Sequence, residues 1–145
     1  MSLKPLQSLL VEPDQAGVFY LTASDLGPLL DAAEGLGFRC VWIDLADCPD
    51  KARLIRRVAE AFAFPPGFGH NWDALADALS DLSWLPAEGY VLGLGSPGAL
   101  REGAPDDFAT FVAVLEGAAL AWRDADRPFW AFIALPDDEF DALAP

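Results

Sequence analysis

The stretch Pro128–Leu135, PFWAFIAL, is apolar at nearly every position. A strand that is apolar on both of its sides is typical of a parallel sheet with helices on its two faces. Three further short runs share this character and are rich in aromatic and β-branched residues: 17–21 (GVFYL), 38–45 (FRCVWIDL) and 89–94 (GYVLGL). The four runs therefore predict the strands of a mainly parallel sheet.

The segments between these runs have the 3-and-4 spacing of apolar residues that is typical of amphipathic helices. After the first run, Leu26, Leu29, Leu30 and Ala33 follow this spacing. The predicted helices cover 25–34, 50–62, 71–82 and 105–124. Strands and helices thus alternate as β-α-β-α-α-β-α-β, which predicts a single α/β domain with a sheet of about four strands.

Two segments have no clear period. Residues 1–16 contain Pro5 and Pro13 and predict an irregular arm, while 96–104 is rich in Gly and Pro and predicts a loop.

Most of the tryptophans are expected to face the core, because aromatic bulk is the default filling of a small core. Trp84 is the exception, since it lies just beyond the helix predicted at 71–82, where it would edge an interface.

The chain has 145 residues, with 23 acidic against 9 basic residues and a formal net charge of −14. Nucleic acids and anionic membranes are bound largely through Lys and Arg side chains. The charge therefore argues against both kinds of partner and favours a neutral or basic one. No window reaches the ~20 apolar residues of a membrane-spanning helix.

The two cysteines, Cys40 and Cys48, do not make the disulfide framework that small secreted domains use. The N-terminus lacks a basic region followed by an apolar stretch and a small-residue cleavage site. We therefore expect a cytoplasmic protein.

The helix predicted at 71–82 has an acidic stripe opposite its apolar face. Asp73, Asp77 and Asp81 follow each other at intervals of four residues. Like charges at this spacing repel, aspartate is a poor residue for a helix interior, and the helix dipole disfavours an acid at its C-terminal end. Such a local conflict indicates a binding surface, although an ordinary solvated helix face would have the same pattern.

A flexible loop, Gly67-Phe68-Gly69-His70, leads into this helix. Phe68 is compatible with an exposed contact and with a ring that packs in the core. His70, the one histidine of the chain, could form a metal site or an acid–base pair with Asp73 and Asp77. No second histidine exists and neither cysteine is near in sequence, so we expect no metal and no catalysis.

The segment Gly93–Gly98, GLGSPG, matches the GxGxxG pattern of dinucleotide-binding proteins. In those proteins the pattern follows the first strand and runs directly into a helix. Here it follows the third predicted strand, and the next predicted helix begins only near Pro105. We expect a chance match in a glycine-rich turn, and no cofactor is predicted.

The stretch 67–79, GFGHNWDALADAL, resembles the signature of the barstar family, intracellular inhibitors of the extracellular ribonuclease barnase. The positions that fit the family pattern in order are Phe68, Gly69, Asn71, Trp72, Asp73, Ala74, Leu75 and Asp77. The resemblance extends more loosely over 38–135. Residues 1–37 look like the additional strand–helix unit of larger barstar-like proteins, and 136–145 form an acidic tail.

The resemblance implies a role for each matching residue. In barstar-like inhibitors, carboxylates of the loop and helix occupy the places of substrate phosphates in a basic nuclease active site. Asp77 matches the central carboxylate and Asp73 the supporting one. Phe68 and Gly69 match loop positions that lie over the catalytic histidine of the nuclease, and Asn71 matches the asparagine of the motif.

This chain departs from the family pattern at Gly67 and Ala76, where the family has aromatic residues, and at His70, where it has a carboxylate. Glu116 is only a candidate for a further acidic contact. The predicted partner-binding residues are Phe68, Gly69, His70, Asn71, Asp73, Ala76, Asp77, Asp81 and Trp84.

The leading functional prediction is a stoichiometric inhibitor, monomeric when free, of a basic ribonuclease or similar nuclease toxin. The alternative is a barstar-fold interaction domain without a nuclease partner, which Gly67, Ala76 and the extra N-terminal unit favour. A small enzyme that uses His70 is the third possibility. Residues 1–69 hold 9 acids and 6 bases, whereas 70–145 hold 14 acids and 3 bases, so the negative charge is concentrated in the second part.

Overall fold

The computed structural model describes residues 4–136 and contains a four-stranded, entirely parallel sheet. The strands are β1 (Val18–Thr22), β2 (Arg39–Asp44), β3 (Tyr90–Gly95) and β4 (Phe129–Leu135). The helices of this range are α1 (Lys4–Leu10), α2 (Ala23–Gly35), α3 (Lys51–Ala61), α4 (Trp72–Asp81), α5 (Gly98–Gly103) and α6 (Pro105–Asp124). The α/β class and every predicted strand and helix are confirmed.

The sheet has the order β1-β4-β3-β2, so the last two strands of the chain are central. Every residue of β3 and β4 is buried, whereas β1 and β2 have exposed residues between buried ones. This difference explains the continuous apolar run at 128–135, because a central strand is covered on both of its faces.

Helices cover the two faces of the sheet with separate cores. On one face, α3, α4 and α6 pack on Ile43, Leu92 and Ile133. The residues between these along the same strands, such as Val91 and Trp130, point to the other face of the sheet. There α1 and α2 pack on them. The helix α4 therefore lies on the first face and the N-terminal helices on the second.

Two predictions about irregular segments are wrong. The predicted arm contains α1 and a 3₁₀ turn at Pro13–Gln15. Leu6 and Leu10, four residues apart, pack in the second core, and the Trp130 Nε1–H donates to the Leu10 carbonyl at 2.9 Å. The predicted loop at 96–104 contains the short helix α5, because the buried Leu100 anchors that turn.

The expectation for the tryptophans holds for Trp122 and Trp130, which are buried, but is wrong for Trp42, which is 51% exposed. Trp42 lies on an edge strand, and its indole covers Gly93 and Gly95 of β3, where an added Cβ would crowd the ring. Packing of Trp42 is therefore the structural role of the first two glycines in the GxGxxG-like segment.

No helix within 4–136 is long and apolar enough to cross a bilayer. Of the predicted acidic tail, 136–145, only Pro136 falls in the described range.

Candidate functional site

Asn71 starts α4 and joins it to the preceding loop. Its backbone is extended, and its side-chain oxygen accepts the Ala74 N–H at 2.8 Å, as is typical of a helix N-cap. The Nδ2–H of the same amide donates to the Gly69 carbonyl at 3.2 Å. One side chain therefore fixes both the start of α4 and the end of the loop.

The apolar face of α4 is anchored in the first core. Leu75 and Leu79 are fully buried there. At the far end of the helix, the Trp122 Nε1–H of α6 donates to the Leu79 carbonyl at 2.8 Å. The helix is thus a fixed platform for the side chains on its outer face.

Asp73, Asp77 and Asp81 are exposed on that outer face. Among the side chains that the structure describes, the single ion pair joins Arg53 and Asp50, at 3.9 Å. Asp81 accepts a hydrogen bond from the Ser83 hydroxyl at 3.2 Å. The three carboxylates therefore have no cationic partner in the described part of the chain and can accept one from another molecule.

A groove of about 450 Å³ lies between the loop and α4. It brings together five of the predicted site residues, namely Phe68, Gly69, Asp77, Asp81 and Trp84. Its floor includes Ala74 and Ala78, whose small side chains leave the space open. Asp73, Asn71 and the half-buried Ala76 lie outside it.

The loop itself contains Pro65, Pro66 and two residues with positive φ, Gly67 at 92° and His70 at 52°. Phe68 combines the two predicted possibilities. Its ring is half-buried and packs on the ring of Phe64 at 4.7 Å, yet it also lines the groove.

A second groove, of about 360 Å³, lies on the other side of Phe68. It is lined by His70 together with Arg56 and Glu60 of α3. Arg56 and Glu60 are not among the site residues predicted from the sequence. The proximity of these residues to the loop along the chain was the available signal, because α3 ends just before the loop begins.

His70 is exposed, and its ring lies 4.9 Å from that of Phe68. The Nδ1–H of this ring donates to the Phe68 carbonyl at 2.9 Å, and the ring makes no other hydrogen bond to the described residues. The histidine is thus tied to the loop backbone instead of to Asp73 or Asp77. No group of three His, Cys, Asp or Glu residues in 4–136 could hold a metal ion.

Neither cysteine is activated as a nucleophile. Burial raises the pKa of the Cys40 thiol to about 11, and the carboxylate of Glu34 adds to this shift. Burial also raises the pKa of Cys48, against the opposing effect of Arg57. Both thiols are therefore protonated near neutral pH.

Trp84 lines the groove but uses its polar atom inside the protein. The side chain is half-buried, and the Nε1–H donates to the Phe62 carbonyl at 2.8 Å. The ring meets Phe64 edge-to-face, with centroids 5.7 Å apart. Trp84 thus has an internal role as well as a place in the groove lining, and that it edges an interface stays a prediction.

Comparison with known structures gives a similar fold in the ORC2 protein of Aeropyrum pernix, solved in ADPNP–ADP complexes. The TM-score is 0.56 at 13% identity, and the match covers 96% of this chain. The chain spans 41% of the length of that structure, and the likeness concerns the fold alone. A search of curated proteins found no match.

The family model described as Barstar (barnase inhibitor) matches residues 38–134. The matched range contains β2, β3, nearly all of β4, the loop with its two grooves, and α4. Residues 1–37, with α1, β1 and α2, precede it. The chain therefore belongs to the barstar family.

Proposed function

We propose that this protein inhibits a basic ribonuclease or similar nuclease toxin by covering the enzyme's active site with the loop at 65–70 and with α4. The observation that carries the proposal is the row of exposed carboxylates, Asp73, Asp77 and Asp81, without a cationic partner among the described residues. A nuclease active site presents cations that bind the phosphates of RNA, and carboxylates on a fixed helix can take the places of those phosphates.

The charge distribution supports the same proposal. Residues 70–145 hold 14 acids and 3 bases, a net charge of −11, whereas 1–69 hold 9 acids and 6 bases, a net charge of −3. A surface of one sign accelerates encounter with a partner of the opposite sign, and added salt screens the attraction. Association with the nuclease should therefore weaken as ionic strength rises.

The proposal includes a structural role for residues 1–37 as the extension of a larger barstar-like protein. The strand β1 pairs with β4, and α1 and α2 bury Trp130 and Phe132 on the second face of the sheet. We further propose a monomeric, cytoplasmic inhibitor, with which the two free cysteines agree.

The second candidate is an interaction domain that has no nuclease partner. Gly67 and Ala76 favour it, because neither residue offers the large contact surface that an aromatic side chain would add. This candidate predicts that basic ribonucleases keep full activity in the presence of excess protein.

The decisive experiment titrates barnase, and then other basic ribonucleases, with the protein and measures RNA cleavage. We expect inhibition that is complete at one-to-one stoichiometry and that weakens with salt. Asp77→Asn should weaken inhibition by about a hundredfold or more, because it leaves buried cations of the enzyme unpaired.

Asp31→Asn is the matched control, since it removes the same charge from α2 on the opposite face of the sheet. Its inhibition should stay near that of the unmodified protein. Equal inhibition by Asp77→Asn and Asp31→Asn would exclude α4 as the contact surface, and full activity of every ribonuclease would favour the second candidate.

A further inference from the structure

Side-chain contacts help to hold the loop between α3 and α4. Ahead of it, α3 ends in a Schellman motif, in which the Phe64 N–H donates to the Ala59 carbonyl at 2.9 Å and the Ala63 N–H to the Glu60 carbonyl at 3.2 Å. Between 65 and 70 the backbone makes a turn at Pro66 and Gly67, but no backbone–backbone hydrogen bond of good geometry is present there among the described residues. Side-chain contacts therefore add to this turn in fixing the conformation of the segment.

A row of aromatic rings supplies several of these contacts. The Trp84 ring lies edge-to-face on Phe64 at 5.7 Å, and Phe64 lies edge-to-face on Phe68 at 4.7 Å. Beyond Phe68, the ring of His70 follows at 4.9 Å. Such pairs each contribute free energy beyond the area that they bury, and their geometry fixes ring orientation.

Each end of the row has a polar anchor: the His70 Nδ1–H donates to the Phe68 carbonyl at the outer end, and Trp84 is bonded at the inner end. The Trp84 Nε1–H donates to the carbonyl of Phe62, a fully buried residue at the end of α3, over a distance of 2.8 Å. This bond connects the segment after α4 to the segment before the loop. Trp84 thus ties the start of the loop to the segment after α4, whereas Asn71 bonds its end at Gly69.

We infer that Trp84 is a positioning residue, which holds Phe68 and the loop in the conformation that binds the partner. This inference rests on the proposed function, since it assigns to Trp84 an effect on binding that acts through Phe68. A loop that is already ordered loses less conformational entropy when it binds, and this preorganisation appears as affinity.

The test compares Trp84→Phe, which keeps a ring and removes the N–H, with Trp130→Phe. The control removes an equivalent bond, from the Trp130 Nε1 to the Leu10 carbonyl at 2.9 Å, on the opposite face of the sheet. The first measurement is the ¹⁵N order parameter of the amides of residues 67–70 in the free protein. We expect values near about 0.85 in Trp130→Phe and below about 0.6 in Trp84→Phe.

Phe64→Leu provides a second variant, because it interrupts the row of rings and leaves the Trp84 hydrogen bond in place. It should lower the same order parameters. Unchanged order parameters in both Trp84→Phe and Phe64→Leu would overturn the inference, whether or not any ribonuclease binds. A failure of the proposed function is thus distinguishable from a failure of this inference.

The second measurement is a double-mutant cycle for barnase binding. Trp84→Phe alone should weaken binding about fivefold, the effect of one net hydrogen bond. In the background of Phe68→Ala, it should have almost no further effect, because a residue that acts through Phe68 is not additive with it. A full fivefold effect in that background would instead make Trp84 a direct contact and would overturn the positioning role.

Discussion

Replacement of Asn71 by alanine should loosen both the start of α4 and the end of the loop. The variant loses the N-cap bond to the Ala74 N–H, at 2.8 Å, which is worth about 1 kcal/mol. It also loses the bond to the Gly69 carbonyl, at 3.2 Å, which is worth about 0.5 kcal/mol because it is exposed to water. The free energy of unfolding should therefore fall by about 1.5 kcal/mol.

Urea titration followed by circular dichroism measures this loss, and thermal unfolding should show a midpoint lower by about 5 °C. Asn71→Asp separates the two contributions. Its carboxylate can still accept the Ala74 N–H at the positive end of the helix dipole, and only the bond to Gly69 is lost. This variant should lose about 0.5 kcal/mol or less.

Asp50→Ala is the matched control for a lost helix cap, since Asp50 accepts the Arg53 N–H at 2.9 Å at the start of α3. It should cost about 1 kcal/mol of stability and leave inhibition of a basic ribonuclease unchanged. Asn71→Ala should weaken inhibition as well. Equal stability losses in Asn71→Ala and Asn71→Asp would refute the assignment of the larger contribution to the cap.

Three further changes have defined outcomes. Ala63→Gly should raise the free energy of unfolding in urea by about 1 kcal/mol, since Ala63 has a φ of 51° that glycine adopts freely; lower stability would contradict this. Deletion of residues 1–37 should give an aggregated chain in size-exclusion chromatography, because it uncovers Trp130 and Phe132; a cooperatively folding fragment would disprove the structural role of the extension. Iodoacetamide should modify Cys40 slowly at pH 8 and faster toward pH 11, because burial raises the pKa of this thiol from 9.0 to about 11. The stability that the neutral thiol contributes is present below pH 9.0 and is lost as the pH rises through about 11. A reaction midpoint near pH 9.0 would show that the thiol is not buried.

The strands and long helices could be predicted, because the pattern of apolar residues along the sequence indicates them. Both central strands are buried at every residue, so their sequences are apolar throughout, and α4 has its caps and its buried leucines at regular spacing. The order of the strands in the sheet cannot be predicted from such periodicity. Trp42 was therefore expected in the core, although β2 lies at an edge and leaves its ring exposed.

Short helices were missed for a related reason. The helices α1 and α5 contain 7 and 6 residues, so each presents only one or two apolar positions to a core. Leu10 and Leu100 reveal them only once the surface that they contact is known. At the site, the motif located the loop and the acids, but long-range contacts, such as that of Trp84 with Phe62, have no sequence period.

The acidic face of α4 also has a physical explanation that extends beyond its resemblance to a family. Repulsion between Asp73, Asp77 and Asp81 costs a few tenths of a kcal/mol for each neighbouring pair, and Asp81 lies at the unfavourable end of the helix dipole. These costs are small beside the 5–15 kcal/mol that typically stabilises a domain, so the fold can tolerate them, particularly with Leu75 and Leu79 fully buried beneath the stripe. The same carboxylates have no cationic partner among the described side chains. A basic surface that reaches this face relieves the repulsion and also forms charge-assisted hydrogen bonds with the carboxylates. The free energy that the repulsion costs the folded protein is therefore recovered when the partner binds.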